Sequence, residues 1–164
     1  MILKMSEELT KKEAKRKKSL GELGELFGIK ALVDNLFEKI VNLNDIKMNY
    51  PFADLYAEKD GKKYVISIKA RNKYQKNGTL NSRYKLGSNA YSKAKIAAKE
   101  KDAEAYWMAV QFDKETVSIY FGSLAELNQS NGIPLKKCML GTVGKCLVKK
   151  KRHYFDFSYF DNKE

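Results

Sequence analysis

The stretch that decides the fold is ADLYAEKDGKKYVISIKA, residues 53–70. Its Asp60-Gly61 pair stands between two runs in which apolar and polar side chains alternate. Such a pair favours a two-residue hairpin loop, because both of its residues tolerate positive φ. With the loop at these two residues, Leu55 lies opposite Ile66. The sequence therefore predicts an antiparallel β-hairpin.

The predicted hairpin, residues 51–70, places polar side chains on one face. Asp54 lies opposite Ser67, and Phe52 lies opposite Lys69, while the apolar pairs share the other face. Directly opposed Cβ atoms are about 4.5–5.5 Å apart, and diagonal neighbours are about 7–8 Å apart. The carboxylate of Asp54 and the ammonium group of Lys69 can therefore converge on one phosphate-sized site, a geometry that suits catalysis.

The composition indicates one domain that interacts with polyanions. A chain of 164 residues with 43% hydrophobic residues can bury a core. Its 32 Lys and Arg residues outnumber its 20 Asp and Glu residues, which gives a net charge of +12. Nucleic acid is the commonest target of such a charge, although ribosomal and membrane-surface proteins share it. We expect a basic arm or helix over 1–18 and one domain over 19–164, with a core at 19–121 and an extension at 122–164.

Cysteine usage and hydropathy favour a cytoplasmic protein without a membrane partner. Cys138 and Cys146 provide neither a disulfide framework nor a short-spaced metal motif. No apolar run approaches the roughly 18 residues of a membrane span. The charged N-terminal segment lacks the apolar core of a signal peptide.

Periodicity predicts the order of the elements. Apolar residues spaced three and four apart predict a helix from Leu20 to Ile40, and glycines within it indicate close approach by a neighbouring element. Further elements follow in order: a short strand near Ile46 and Met48, the hairpin, a helix over 88–102, strands over 105–112 and 116–121, a short helix over 124–128, and short strands near 138–140, 145–149 and 154–160. This order is that of an α/β fold, with a mixed β-sheet flanked by α-helices and extra C-terminal short strands.

Three segments in this order resemble the PD-(D/E)xK nuclease superfamily, which has the restriction-endonuclease-like fold and includes Holliday-junction resolvases. Pro51-Phe52-Ala53-Asp54 matches the acid on the second core strand, and Ser67-Ile68-Lys69 occupies the (D/E)-x-K tripeptide. Gly21-Glu22-Leu23-Gly24-Glu25 is similar to the start of the first helix in several members. The resemblance covers residues 19–121, and serine replaces the middle acid of the tripeptide.

The resemblance implies a DNA endonuclease that depends on Mg²⁺ or Mn²⁺. It implies that Asp54 and Glu25 hold the metal, with Glu22 and the backbone carbonyl of Ile68 as further ligands. In the same way Lys69 orients or deprotonates the attacking water, or stabilises developing charge.

The serine leaves two hypotheses open. A serine hydroxyl is a poor Mg²⁺ ligand, so either Glu25 or Glu22 supplies the missing carboxylate while Ser67 lines an active site, or the domain has lost its metal and only binds nucleic acid. A third hypothesis makes the hairpin a surface for protein partners and Asp54–Lys69 an ordinary exposed ion pair.

A basic segment follows the hairpin and is the predicted nucleic-acid contact, with tyrosines that can stack on bases. Its candidate residues are Arg71, Lys73, Tyr74, Lys76, Arg83, Tyr84 and Lys85. The resemblance favours duplex or branched DNA over RNA, and it suggests a homodimer.

Overall fold

The computed structural model of the chain describes residues 2–152, apart from the side chains of residues 2, 3 and 9. Three α-helices, eight β-strands and two 3-10 helices make up this part of the chain. The helices are α1 (Ile2–Asp34), α2 (Ala90–Lys101) and α3 (Leu135–Leu140). The strands are β1 (Glu38–Asn42), β2 (Leu55–Lys59), β3 (Lys62–Asn72), β4 (Arg83–Lys85), β5 (Glu104–Asp113), β6 (Thr116–Ser123), β7 (Gly132–Pro134) and β8 (Lys145–Arg152). The 3-10 helices span Leu43–Asp45 and Ala125–Leu127.

The main sheet has six strands in the order β1-β2-β3-β5-β6-β8. Strands β3 and β5 are parallel, and the other neighbours are antiparallel. Because β3 and β5 run in one direction, the chain crosses from one to the other through α2. The predicted mixed sheet flanked by helices is confirmed.

The hairpin register is confirmed where β2 and β3 pair. Leu55 lies opposite Ile66, and Lys59 lies opposite Lys62, with the loop between them. Strand β2 begins at Leu55 rather than near residue 51, because Phe52 has a φ of +62° and turns the chain away from the ladder. The predicted pairing of Phe52 with Lys69 is therefore wrong.

Helix α1 packs against one face of the sheet, and two glycines allow it to lie close. A Cβ atom on Gly24 would lie 2.3 Å from the Cβ of Ala70, and one on Gly28 would lie 2.9 Å from the Cδ1 of Ile68. Both contacts are shorter than real side chains tolerate. The close approach predicted from the helical glycines is therefore present at these two positions, and it fixes α1 over the end of β3.

Helix α2 covers the opposite face. Its buried alanines, Ala90, Ala94 and Ala97, pack against the sheet as their spacing predicts. Trp107 of β5 lies in the same apolar cluster as Ala90 and Ala94 and is fully buried. The sheet is therefore covered on both faces over β3 and β5, which agrees with the unbroken apolar sequence of β5.

Within the basic arm predicted over 1–18, residues 2–18 are helical and continuous with the first core helix. The helix ends at Asp34 rather than at Ile40, because Leu36 has a φ of +65° and the N–H of Phe37 donates to the carbonyl of Leu32. Ile40 lies instead in β1, which the sequence did not predict. None of the helices in the described part of the chain combines the length and apolarity that a membrane crossing requires.

The remaining predictions of short strands are confirmed only in part. Strand β8 contains the strand predicted near residues 145–149, but residues 138–140 belong to α3. No strand forms near Ile46 and Met48, where the 3-10 helix Leu43–Asp45 is followed by turns. Strands β4 and β7 form a separate two-stranded sheet that the sequence did not predict. The strand predicted over 154–160 lies outside the described residues.

Candidate active site

Asp54 is held at the open end of the hairpin by two backbone contacts. Its N–H donates to the carbonyl of Ile66 over 2.8 Å. Its Oδ2 accepts from the N–H of Ile68 over 2.7 Å. The carboxylate thereby accepts the hydrogen bond that a backbone carbonyl of β2 would accept if the β2–β3 ladder continued. This bond fixes the position of the side chain.

The charges of Asp54 and Lys69 are both opposed by burial. Burial raises the pKa of Asp54 above its ordinary value, although the Ile68 N–H, the charge of Lys69 and a side-chain hydrogen bond from Asn44 act in the other direction. Burial lowers the pKa of Lys69; the Asp54 carboxylate opposes this shift, and the charges of Arg71 and Lys93 add to it. An acid and a base with shifted pKa values, side by side at a strand end, are typical of a functional site.

Glu25 faces the same site from α1. Burial raises its pKa, and the carboxylate of Asp54 raises it further, followed by those of Glu22 and Asp45. Glu25 follows Gly24, whose contact with Ala70 sets the helix against the end of β3. The helix and the hairpin therefore bring two of the predicted metal ligands within electrostatic range of each other.

Glu22 occupies a less enclosed position than Glu25. It lies one turn earlier on α1 and is exposed to solvent, whereas Glu25 is half-buried. Its charge raises the pKa of Glu25 less than burial and the Asp54 carboxylate do. Of the two helix glutamates, Glu25 is therefore the better placed to share a ligand with Asp54.

Two further polar residues of the site were not predicted from the sequence. The 3-10 helix Leu43–Asp45 supplies Asn44, which hydrogen-bonds to Asp54, and Asp45, whose charge raises the pKa of Glu25. The side chain of Asn42 begins this turn by accepting from the N–H of Asn44 over 3.0 Å. The run of asparagines from Asn42 to Asn49 was the available signal, because asparagine favours such local turns.

Ser67 does not face an open site. It lies opposite Trp107 of the parallel strand β5 and is only 1% exposed. Its hydroxyl group is thus closed off from solvent between covered strands. The prediction that Ser67 lines the site and takes part in catalysis does not fit this position, and Lys69, two residues further along, is the first half-exposed side chain on that face.

The oxygen donors at this site suit a hard divalent cation. No group of three or more His, Cys, Asp or Glu side chains with metal-binding geometry occurs in the described part of the chain. Mg²⁺ typically uses one or two carboxylates and retains several waters, and Asp54 and Glu25 are two carboxylates within electrostatic range of each other. The Ile68 N–H points towards Asp54. Since N–H and C=O of one strand residue point to the same edge, the Ile68 carbonyl faces the same side.

Three of the predicted nucleic-acid contacts lie on an exposed surface next to the site. Arg71 and Lys76 are exposed, and the ring of Tyr74 is 41% exposed. Lys73 is held more tightly: its Nζ lies 3.8 Å from Asp113 Oδ2 and 5.5 Å from the centre of the Tyr74 ring. Lys73 therefore holds Tyr74 and the strand end in place, and its ammonium group does not project into solvent as the charged groups of the exposed residues do.

The remaining candidates lie on β4. Tyr84 is 1% exposed and belongs to the apolar cluster below α2, so the expected stacking of Tyr84 on a base does not fit this position. Arg83 donates to Ser130 Oγ over 2.9 Å and to Asn131 Oδ1 over 3.1 Å. Lys85 is exposed. The basic surface is thus centred on the loop after β3 rather than on β4.

The fold is similar to that of a known nuclease. Superposition on Hjc, a Holliday junction resolvase from the archaeal hyperthermophile Archaeoglobus fulgidus, gives a TM-score of 0.56 at 15% sequence identity and covers 77% of this chain and 95% of that chain. No protein-family model matches the chain, and no curated protein matches its sequence. The similarity confirms the restriction-endonuclease-like fold.

Proposed function

We propose that this chain is a divalent-metal-dependent DNA endonuclease whose active site is the open end of the β2–β3 hairpin. The observation that carries the proposal is the electrostatic contact of Asp54 with Lys69 and, separately, with Glu25, each of the three having a pKa shifted by burial. The charges of Asp54 and Lys69 partly balance each other, but burial still opposes the charge on Asp54, Lys69 and Glu25, and a ligand of opposite charge offsets that cost. A divalent cation and a phosphodiester are ligands of the required charges.

Each side chain has a distinct role in this proposal. Asp54 and Glu25 would hold Mg²⁺ or Mn²⁺, with the Ile68 carbonyl as a further ligand and Glu22 as a weaker outer contributor. The bound cation supplies Lewis acidity and a more acidic water. Lys69 stands beside Asp54, where its ammonium group stabilises negative charge on the phosphate in the transition state. Its lowered pKa also makes it a better proton acceptor for the attacking water than an ordinary lysine.

A second candidate function is a nuclease-fold module that binds nucleic acid without cutting it. Two observations favour it: the middle acid of the family motif is replaced by the buried Ser67, and no cluster of three metal-binding side chains occurs among the described residues. The basic loop after β3 would then be the functional surface. Both candidates predict binding of DNA, and only the first predicts a metal-dependent product.

Cleavage assays separate the two candidates. Supercoiled plasmid and a synthetic branched DNA are incubated with the full chain in Mg²⁺, in Mn²⁺ and in EDTA, alongside Asp54→Ala and Lys69→Ala. The endonuclease proposal predicts nicks or double-strand breaks in either metal, none in EDTA, and none with Asp54→Ala. Salt-sensitive binding without cleavage in both metals would support the second candidate.

The same samples test the expected partners. We propose that the substrate is DNA rather than RNA. We also propose that two copies of the chain act together, because a single site can cut only one strand at a time. Light scattering of the free protein and of its DNA complex measures the number of copies. Absence of salt-sensitive nucleic-acid binding would favour the third hypothesis, a surface for protein partners. The expected cytoplasmic location stays a prediction.

A further inference from the structure

A cavity of about 420 Å³ lies between α1 and the loop that follows β3. Arg16 and Lys17 line it from the helix, and Arg71, Tyr74 and Lys76 line it from the strand end and the loop. Among the described residues that line it, none is acidic. Arg16 is paired with Glu13 over 3.3 Å, and the four cationic side chains around the concavity still outnumber this one neighbouring carboxylate, which favours a ligand that carries negative charge.

The wall formed by the loop is held in place before any ligand arrives. The N–H of Lys73 donates to the carbonyl of Phe112 over 2.8 Å, and the N–H of Asn81 donates to the carbonyl of Lys73 over 2.7 Å. Within the loop, the N–H of Gln75 donates to the carbonyl of Thr79 over 2.7 Å. These bonds fix the backbone around Tyr74, so little ordering entropy remains to be lost on binding.

Tyr74 makes the cavity suitable for a base as well as a phosphate. The ammonium group of Lys73 lies 5.5 Å from the ring centre, and Tyr74 as a whole residue is 41% exposed. Aromatic rings beside a cationic groove are the usual platform for unpaired bases. A duplex hides its base faces within the stack and presents a convex backbone, so it cannot place a base against a ring inside a concavity. The volume is within the usual 300–1,000 Å³ range of small-ligand sites.

The cavity adjoins the proposed active site along β3. Ala70, which lines the cavity, directly follows Lys69 in β3, and the side chains of these two residues point to opposite faces of the sheet. The charge of Arg71 acts on Lys69, so the two cationic groups are close enough to belong to one binding track. Arg71, which lines the cavity and acts on Lys69, therefore connects the cavity with the proposed active site at the end of β3.

We propose that this cavity binds an unpaired nucleotide of the strand next to the cleaved phosphate, with Tyr74 stacking on the base and Arg16, Lys17, Arg71 and Lys76 contacting the phosphates. The inference rests on the proposed function, because it takes the ligand to be the nucleic-acid substrate. It adds the substrate class: DNA that carries unpaired nucleotides beside the cut, such as a flap, a gap or a single strand.

Binding measured without metal tests the inference separately from catalysis. Fluorescence anisotropy in EDTA compares a labelled single-stranded oligonucleotide with a blunt duplex of the same sequence, for the full chain and for Tyr74→Ala, Tyr74→Phe, Lys76→Ala and Lys95→Ala. Tyr74→Ala should weaken single-strand binding about tenfold, the scale of one lost stacking contact. Tyr74→Phe should restore it, since phenylalanine keeps the stacking ring.

The duplex and the lysine variants provide the controls. Duplex affinity should change less than about twofold in both tyrosine variants. Lys76→Ala should reduce the slope of log K against log salt by about one for the single strand, and Lys95→Ala, an exposed lysine on α2 outside the cavity, should leave that slope unchanged.

Three results would overturn the inference. The first is an unchanged single-strand affinity in Tyr74→Ala that folds normally, and the second is an equal loss for duplex and single strand. The third is displacement of the oligonucleotide by an equal concentration of a nucleoside monophosphate, which would assign the cavity to a free nucleotide. Because no arm contains metal, cleavage by the wild-type protein can succeed or fail independently of these results.

Discussion

The two ends of the β2–β3 hairpin use charge in different ways. At the turn, Lys62 lies 3.0 Å from Glu104 and 2.7 Å from the hydroxyl of Tyr106, and Lys63 lies 3.8 Å from Asp102. These cations have partners, and the Tyr106 hydroxyl raises the pKa of Lys62, with Glu104 adding to the effect. At the open end, Asp54 has a raised pKa and Lys69 a lowered one.

The difference teaches where to look for function in a chain with 32 basic residues. Ion pairs on the surface are satisfied by one another and contribute little beyond local order. Groups whose ionised forms are opposed by burial gain stability from a ligand of opposite charge, and such groups cluster at functional sites. Within one strand pair, the charges at the turn stabilise the fold, whereas those at the open end are available for a ligand.

The largest expected effect is that of Asp54→Asn on cleavage. Asparagine keeps an oxygen that can accept from the Ile68 N–H but removes the negative charge, so the hairpin should retain its shape. Loss of metal-assisted charge stabilisation is worth several kcal/mol, and we therefore expect DNA cleavage to fall about 10³-fold. Initial rates of plasmid nicking in Mg²⁺ measure the effect. A rate within tenfold of wild type in a purified variant would remove Asp54 from the site.

A smaller effect is expected for Glu25→Gln, with Glu22→Gln as its matched control on the same helix. Glu25 is the half-buried glutamate whose pKa is raised by Asp54, so its loss should lower cleavage about 10- to 100-fold, a range measured for residues that support a metal. Raising the Mn²⁺ concentration should recover part of the rate. Glu22→Gln should stay close to wild type, and the reverse order would identify Glu22 as the relocated carboxylate.

The difference in stability between Asp54→Asn and the wild-type protein should depend on pH, with a sign set by the raised pKa of Asp54. The folded-state pKa of Asp54 is raised, so the carboxyl contributes its full stability below its ordinary pKa and loses it as pH rises through the folded-state pKa. Without metal, Asp54→Asn should therefore melt above wild type at pH 7, by about 2–4 °C for each kcal/mol gained. The advantage should disappear as pH falls below about 3.9. An advantage that grows towards acid pH would mean that the carboxylate is stabilised by its surroundings.

The smallest effect is expected at the turn. Lys62→Met removes an ion pair with the exposed Glu104 and the contact with Tyr106, and it should cost about 1 kcal/mol or less in the free energy of unfolding. Denaturant titration measures the cost. Cleavage should not change, because Lys62 lies at the end of the hairpin away from Asp54. A loss of cleavage as large as that of Asp54→Asn would make the contrast between the two ends wrong.

The parts of the fold that local patterns determine could be predicted from the sequence. The loop at Asp60-Gly61 set the register of β2 and β3, and the alanine spacing of α2 identified its buried face. The end of α1 could not be predicted, because Phe37 and Ile40 continue the helical spacing after positive φ at Leu36 has ended the helix. Periodicity reports which side chains are buried, and it does not distinguish a helix from the strand that follows it in the same core.

The site was only partly predictable for a related reason. The face on which Lys69 lies follows from strand alternation, but Asp54 lies just outside the β2–β3 ladder, and the contribution of Asn44 depends on a 3-10 turn brought back against Asp54 by tertiary structure. The burial of Ser67 and Tyr84 depends on α2 and on the strands beside them. Sequence alternation places these residues on a face, and it does not show how completely the next layer covers that face.

The central claim is that the open end of the hairpin holds buried carboxylates that bind a divalent cation, and thermal melting with Mn²⁺ tests it most directly. Wild-type protein, Asp54→Asn and Lys62→Met are melted in EDTA and in increasing Mn²⁺. A cation that binds only the folded state raises the melting temperature with concentration. We expect this rise in wild type and Lys62→Met and its loss in Asp54→Asn, whereas an equal rise in all three proteins, or none in wild type, would contradict the account.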